Sequence, residues 1–344
     1  MPPARNPEKP DPATALVAGI RPKNFYFLLS EIKMSEPTEL IQLSENIFLL
    51  PLPTNIGLIA LKQKDSTTNI YLIDSGNDER YGKAVLETAE SRFTEPRLKA
   101  VINTHSHADH CGANQFLKEK TGCQIIASTG EAAVMECPVL ETGLIWGGMP
   151  VKELDTKYFT ASACVADKTF KSGSDFWLEE KIHVQTIALK GHYIDQTGFL
   201  LTDTDGKKIL FAGDALSGRD TIKKYWIQYL FNENQAKQSL HSLAKIEADF
   251  YVPGHGQGVT EIEGLVELNL LALLETENMI LDELKTPKTA EQILQAVSLR
   301  NEIPLKLSQY VLIGCTLRSY LSALCDCGKI KYEIKDNLMF WSLV

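Results

Sequence analysis

The stretch Thr104-His105-Ser106-His107-Ala108-Asp109-His110 constrains this chain more than any other. It follows an apolar, strand-like run, Ala100–Asn103, and sets four metal-ligand residue types within six positions. Imidazoles and carboxylates packed this closely cannot all be buried in an apolar core, because each needs a polar partner. The economical solution is a strand that ends at an edge where the cluster meets a cation. On a loop, His105 and His107 turn their rings toward one cation, while Asp109 and His110 continue round the turn and face a second. Neutral imidazole and carboxylate suit zinc, iron or manganese.

Three later positions complete a ligand set. His192 follows Lys190-Gly191 after the strand-like run His183–Ala188. Asp214 follows Gly213 after Lys208–Ala212. His255 stands in Pro253-Gly254-His255-Gly256, after Asp249–Val252. Each is beside a glycine, which permits close backbone approach or a positive φ. Five of the seven histidines fall at these strand ends; His183 and His241 have no assigned role.

Short β-rich runs begin near Asn46, among them Ile47–Leu50, Gly57–Leu61, Asn69–Asp74 and Gln124–Ala127. Asp205-Gly206 between Thr197–Thr202 and Lys208–Ala212 predicts a hairpin turn. Helical stretches interleave at Glu79–Phe93, Ala113–Lys120 and Asn234–Glu247, so an α/β fold is expected, with helices covering sheet faces. Residues 128–181, with Gly143, Gly147, Gly148 and Pro150, are expected to be an insertion with some helix near the active-site mouth. Residues 1–40 read as a poorly ordered N-terminal extension without a signal peptide, and 41–264 as the catalytic unit. In residues 265–344, helices at Val266–Leu284, Thr289–Ser298 and Leu307–Cys325 precede two strands, the order of a small winged-helix-like domain.

The motif His-x-His-x-Asp-His, followed in order by Gly-His, Gly-Asp and Gly-His, resembles that of the metallo-β-lactamase superfamily over roughly residues 45–260. The resemblance implies a four-layer αβ/βα sandwich with metals at one edge. It implies that His105, His107 and His192 hold a first metal, that Asp109, His110 and His255 hold a second, and that Asp214 bridges them. An Asp at the bridging position, with Asp109 before His110, is similar to the glyoxalase II and ribonuclease Z branches. The residues after His192, Tyr193-Ile194-Asp195-Gln196, depart from the Thr or Ser and Pro or Asp-x-His of many relatives, which weakens a transfer of thioester specificity.

The chemistry implied is hydrolysis by a hydroxide shared between two divalent metals, most simply zinc, with iron or manganese as substitutes. Asp109 would orient the water and relay a proton, and Tyr193 is a candidate donor to the developing oxyanion. Asp74, ending a strand, reads either as a support for a ligand histidine or as a turn residue. The expected substrate is a small-molecule ester, thioester, lactone or related compound. A metal-dependent ribonuclease or phosphodiesterase is the alternative, and a mono-iron oxygenase of the persulfide dioxygenase type a second one.

Charge argues against a nucleic-acid partner. The net charge is −9, and residues 265–344 carry eight Lys or Arg against ten Asp or Glu. No run of about 18 apolar residues predicts a membrane span. Seven cysteines do not form a disulfide framework, so reduced thiols and a cytoplasmic location are expected. An acidic, helical tail makes a homodimer the expected assembly, if any.

Overall fold

A computed structural model describes residues 39–344. The extension expected over residues 1–40 lies, but for its last two residues, outside the described residues. Strands β1 (Ile41–Gln42), β2 (Ile47–Pro51), β3 (Asn55–Lys62) and β4 (Thr68–Ile73) run antiparallel to one another. Helix α1 (Glu79–Arg92) leads to β5 (Pro96–Ile102). Helices α2 (Ala108–Cys111) and α3 (Asn114–Thr121) lead on to β6 (Gln124–Ser128). Helices α4 (Thr129–Glu136) and α5 (Val139–Trp146) precede β7 (Lys168–Phe170), which completes a seven-stranded sheet in sequence order. From β4 to β7 the pairing is parallel, because each connection crosses over through helix or loop.

The second sheet has β8 (Asp175–Leu178), β9 (Ile182–Ala188), β10 (Thr197–Thr202) and β11 (Lys208–Ser217). Helices α6 (Arg219–Lys224) and α7 (Glu233–Leu243) follow, then β12 (Phe250–His255), and the strand order is β12-β11-β10-β9-β8. Thr202 pairs with Lys208 across the Asp205-Gly206 turn, and Gly206 takes φ +83°. The expected hairpin is therefore present.

Burial explains the layering. In β2, Ile47 and Leu49 join Phe199, Phe211 and Val252 in the core between the two sheets. Phe48 and Leu50 alternate to the other face and pack with Val85 of α1 and Leu117 of α3. A strand covered on both faces reads as an unbroken apolar run, which is how Ile47–Leu50 reads. The outer face of the second sheet packs under helices, giving helix, sheet, sheet and helix layers.

The tail comprises α8 (Glu263–Glu283), α9 (Ala290–Arg300), α10 (Leu307–Asp326), β13 (Ile330–Lys335) and β14 (Leu338–Leu343). Its core is continuous with that of the second sheet. Leu200, Leu210 and Tyr251 share one cluster with Ile280, Ile293, Leu317 and Tyr320. Buried Glu277 on α8 accepts Lys237 of α7 and Lys329 before β13. The hydrophobic surface of the second sheet is thus completed by residues after 264, and the division of the sequence at that point is not a division of the core. Among the described residues no helix is long and apolar enough to cross a membrane. All seven cysteines are free, and among the described residues Cys325-Asp326-Cys327, which closes α10, has no metal-ligand partner set.

Candidate metal centre

Strand ends from both sheets meet at one edge of the sandwich. The turn after β5 begins with Asn103, whose Nδ2 donates to the His110 carbonyl at 3.2 Å. Asp74, at the end of β4, sits at φ +62°, a left-handed conformation that Asp tolerates better than most residues. Its carboxylate accepts from Thr104 N and Thr104 Oγ1, both at 2.8 Å, and meets His110 Nδ1 at 2.8 Å. This settles the open reading of Asp74: it anchors the ligand loop and fixes the His110 ring.

Seven side chains converge. His107 Nδ1 lies 3.1 Å from His105 Nε2 and 3.0 Å from His192 Nε2. His110 Nε2 lies 3.2 Å from Asp214 Oδ1. His255 Nε2 lies 3.1 Å from Asp109 Oδ2 and 3.3 Å from Asp214 Oδ2. Within each of the triads His105/His107/His192, His105/His110/Asp214 and Asp109/His110/His255, the ligand atoms lie within 4.8 Å of one another. Asp214 stands between the groups, its Oδ2 also 3.5 Å from His192 Nε2. Gly254 must be glycine here, because a Cβ would come 1.8 Å from Asp214 Oδ1.

The nitrogens turned away from the centre have partners of their own. His105 Nδ1 meets Thr104 Oγ1 at 3.0 Å, and His255 Nδ1 meets the Pro53 carbonyl at 2.7 Å. Such contacts fix ring orientation and tautomer in metal sites.

The electrostatics divide the set in two. Burial, reinforced by neighbouring histidines, holds His105 and His107 well below their ordinary value, and burial also lowers His192. For His110 burial acts downward, but Asp214, Asp109 and Asp74 outweigh it and raise the ring to about 10. The same contest, won by Asp214 and Asp109, raises His255 well above its usual range. Asp109 and Asp214 are lowered by these histidines against the upward push of burial. A cation binding the His110 or His255 nitrogen therefore displaces a proton.

Access is uneven. The His110 side chain is fully enclosed, whereas that of Asp109 is 37% exposed and that of His255 24% exposed. The centre opens on the Asp109 and His255 side. Tyr193 lies elsewhere: it is fully buried, its ring centroid 4.3 Å from that of His107, and its hydroxyl faces Glu141. That placement is at odds with the expectation that Tyr193 donates to an oxyanion, since a substrate entering beside Asp109 meets no exposed part of it.

Three residues escaped the reading of the sequence. Glu131 of α4 is completely buried and accepts from Ser106 N at 2.9 Å, Ser106 Oγ at 2.6 Å and Asp195 N at 2.7 Å. It clasps the loop carrying His105 and His107 to the loop carrying His192, although burial pushes it up to about 7. The unusual Asp195 completes this clasp by accepting Gly130 N at 3.2 Å and pairing with Lys190 at 2.8 Å. Glu141 of α5 places Oε1 3.4 Å from His107 Nε2, and burial raises its carboxyl to about 8. Tyr229 lies with its ring 5.3 Å from that of His107 and 5.6 Å from that of His192. The available signal was Glu141 itself, the only charge in the apolar segment Val139–Trp146. Within the stretch 128–181 expected to be an insertion, the helix pair α4 and α5 reaches the centre, whereas Lys168–Phe170 and Asp175–Leu178 are strands of the two sheets and not inserted.

The donor set fits divalent cations. His110 Nε2 and Asp214 Oδ1 are buried without a hydrogen-bond partner, and three imidazoles held neutral point lone pairs at one another. Divalent cations held by these groups would satisfy these atoms.

Comparison with known proteins agrees with this geometry. A family model described as the metallo-beta-lactamase superfamily matches residues 49–255, which include all seven ligand-type residues. A hydroxyacylglutathione hydrolase of Pelagibacter ubique is 26% identical over 171 residues, 50% of this chain and 54% of that protein. A Hyphomonas neptunium protein of the same description is 43% identical over 49 residues, 14% of this chain and 19% of its own. This chain spans about half the length of the first of these relatives. Among solved structures, a beta-lactamase domain protein from Burkholderia ambifaria superposes with TM-score 0.69 at 15% identity, covering 91% of this chain and 96% of its own. A metallo-beta-lactamase family protein from Thermus thermophilus gives TM-score 0.66 at 18% identity, covering 87% and 99%. The tail lies within the shared fold in the first case, since so little of either chain is left over. With the family model spanning both sheets and every converging ligand, the chain belongs to the metallo-beta-lactamase superfamily.

Proposed function

We propose that this protein is a metal-dependent hydrolase that uses two adjacent divalent cations, zinc being the simplest choice, to cleave an ester, thioester, lactone or related bond of a small molecule. The observation that carries this reading is the convergence of seven ligand side chains into two adjoining groups sharing Asp214. His105, His107 and His192 would hold one cation, Asp109, His110 and His255 the other, and Asp214 would serve both. When bound, such a pair supplies a water acidic enough to react at neutral pH and offsets negative charge on the substrate oxygen.

The chain's own residues do the rest. Asp109, the most exposed of the acidic ligands, stands where a substrate arrives and is placed to orient the attacking water and accept its proton. Tyr229 packs its ring against those of His107 and His192 and supports their orientation. Tyr193 is read as support for Glu141 and His107 rather than as a donor to substrate, because it is fully buried.

Relatives named hydroxyacylglutathione hydrolase favour acyl transfer to water. A small-molecule substrate is favoured over nucleic acid by the net charge of −9. The tail is read as winged-helix-like on its element order and on an antiparallel bridge that adds Lys288 to β14 at Trp341.

The test is elemental analysis of purified protein together with a panel of ester, thioester, lactone and phosphodiester substrates. About two divalent metals per chain with hydrolysis of a carboxylic substrate supports the reading. One iron per chain and no hydrolysis overturns it.

A further inference from the structure

Helix α5 (Val139–Trp146) is largely inside out, Ile145 being its one buried large apolar side chain. It turns Glu141 and Thr142 inward, 4% and 3% exposed, while Val139, Leu140 and Leu144 are more than 40% exposed. A helix at a protein surface normally buries its apolar residues, and enclosing a carboxyl group costs free energy unless it has partners. Among the described residues no lysine or arginine pairs with Glu141. Its nearest polar neighbours are His107 Nε2, 3.4 Å from Oε1, and the Tyr193 hydroxyl, and both of these atoms are buried without a hydrogen-bond partner.

The His107 ring explains the arrangement. Its Nδ1 faces the nitrogens of His105 and His192, so a cation there needs the Nδ1 lone pair, and the hydrogen must sit on Nε2. An imidazole left to itself has no such restriction. We propose that Glu141 is a positioning residue that accepts the Nε2–H of His107, fixing its tautomer and aim. The contact serves ionised or protonated Glu141 alike, since either form keeps an acceptor oxygen. Asp74 performs the corresponding task for His110 and the Pro53 carbonyl for His255. The difference is that Glu141 arrives on a helix outside both sheets. That helix is braced by the tail, since Ile145 of α5 packs with Val311 of α10. The aim of His107 therefore depends on how α5 is seated.

This inference rests on the reading of His107 as a ligand, and its test separates the two. Cation affinity is measured by competition of zinc with a chromogenic chelator for wild type, Glu141→Leu, Glu141→Gln and His107→Ala. Partner residues of this kind are worth about 10- to 100-fold in metal affinity. Glu141→Leu is expected to weaken one of the two zinc ions by that factor and leave the other unchanged. Glu141→Gln, which restores an acceptor oxygen at the same place, is expected to recover most of the loss. Nitrogen-15 NMR of the histidine rings in zinc-stripped protein gives a second readout: the His107 signals should move toward the Nδ1–H form in Glu141→Leu only. If Glu141→Leu binds both zinc ions as tightly as wild type while His107→Ala loses one, the inference is overturned and the ligand reading stands. If His107→Ala loses neither, the ligand reading itself has failed.

Discussion

The two groups of candidate donors, one of three imidazoles and one of two imidazoles with a carboxylate, behave oppositely. In the half formed by His105, His107 and His192, burial keeps the imidazoles neutral, with lone pairs ready. In the half formed by Asp109, His110 and His255, carboxylates hold protons on the histidines, His110 up to about 10. Depth alone does not separate them, since His105 and His110 are both fully buried. The difference is what each ring faces. The first group faces other imidazoles, and the second faces Asp214 and Asp109. Imidazoles already neutral make loading weakly pH-dependent, whereas protonated ligands make it a proton-exchange reaction.

The strongest way to break this comparison is to remove the residue common to both halves. Asp214→Ala is expected to lower the affinity of both cations and to cut kcat/KM by about a thousandfold or more, given several kcal/mol of charge stabilisation by the metals. Elemental analysis and steady-state kinetics check it, and full occupancy of one half in the variant would show that Asp214 is not shared. His255→Ala sharpens the distinction, because it should empty the second half alone and leave about one cation per chain by the same analysis.

Gly254→Ala probes the shared residue without touching a donor. A methyl group 1.8 Å from Asp214 Oδ1 has to displace that carboxylate, so lower cation occupancy is expected with a stability loss of about 1–3 kcal/mol, read by chemical denaturation.

The pH dependence of the chelator-stripped protein should show both halves. His105, His107 and His192 titrate below their unfolded value near 6.5, so their contribution is present above that pH and is lost as pH falls below it. His110 titrates above it, so its contribution is full below about 6.5 and is lost as pH rises through about 10. Stability of stripped protein should therefore rise toward pH 6.5 and decline above it. Zinc uptake above pH 6.5 should release protons, seen as a buffer-dependent heat in calorimetry. A melting temperature that keeps climbing from pH 7 to 10 in stripped protein would contradict the assignment of His110.

The smallest effect concerns the clasp between the two ligand loops. Glu131→Ala leaves Ser106 N and Asp195 N buried without their acceptor, at a cost of about 1–3 kcal/mol for an unsatisfied group. Thermal denaturation should register it, and a variant as stable as wild type would show that the loops hold their shape unaided.

The convergence of candidate ligands was legible because a metal site would concentrate rare residue types at positions the chain marks locally. Four candidate ligands lie within His105–His110, and the other three each follow a glycine, although β11 runs on past Asp214 to Ser217 instead of ending before it. The two-sheet layering was legible for a similar reason, since doubly covered strands such as Ile47–Leu50 and the Asp205-Gly206 turn carry their signals over a few residues. Glu131, Glu141 and Tyr229 were not legible. Each matters only through a partner far along the chain, Glu141 through a histidine 34 positions earlier, and a lone carboxylate in sequence looks the same whether it faces water or an imidazole. The placement of Tyr193 away from the opening, and the merging of the tail's core with the second sheet, were decided in the same way. The sequence by itself determined which atoms can bind a cation, because that is a property of side-chain chemistry and local spacing. Which nitrogen of each ring is offered, which ring keeps its proton and which carboxyl group is enclosed were decided only by tertiary structure, because they depend on distances between elements that the chain brings together late.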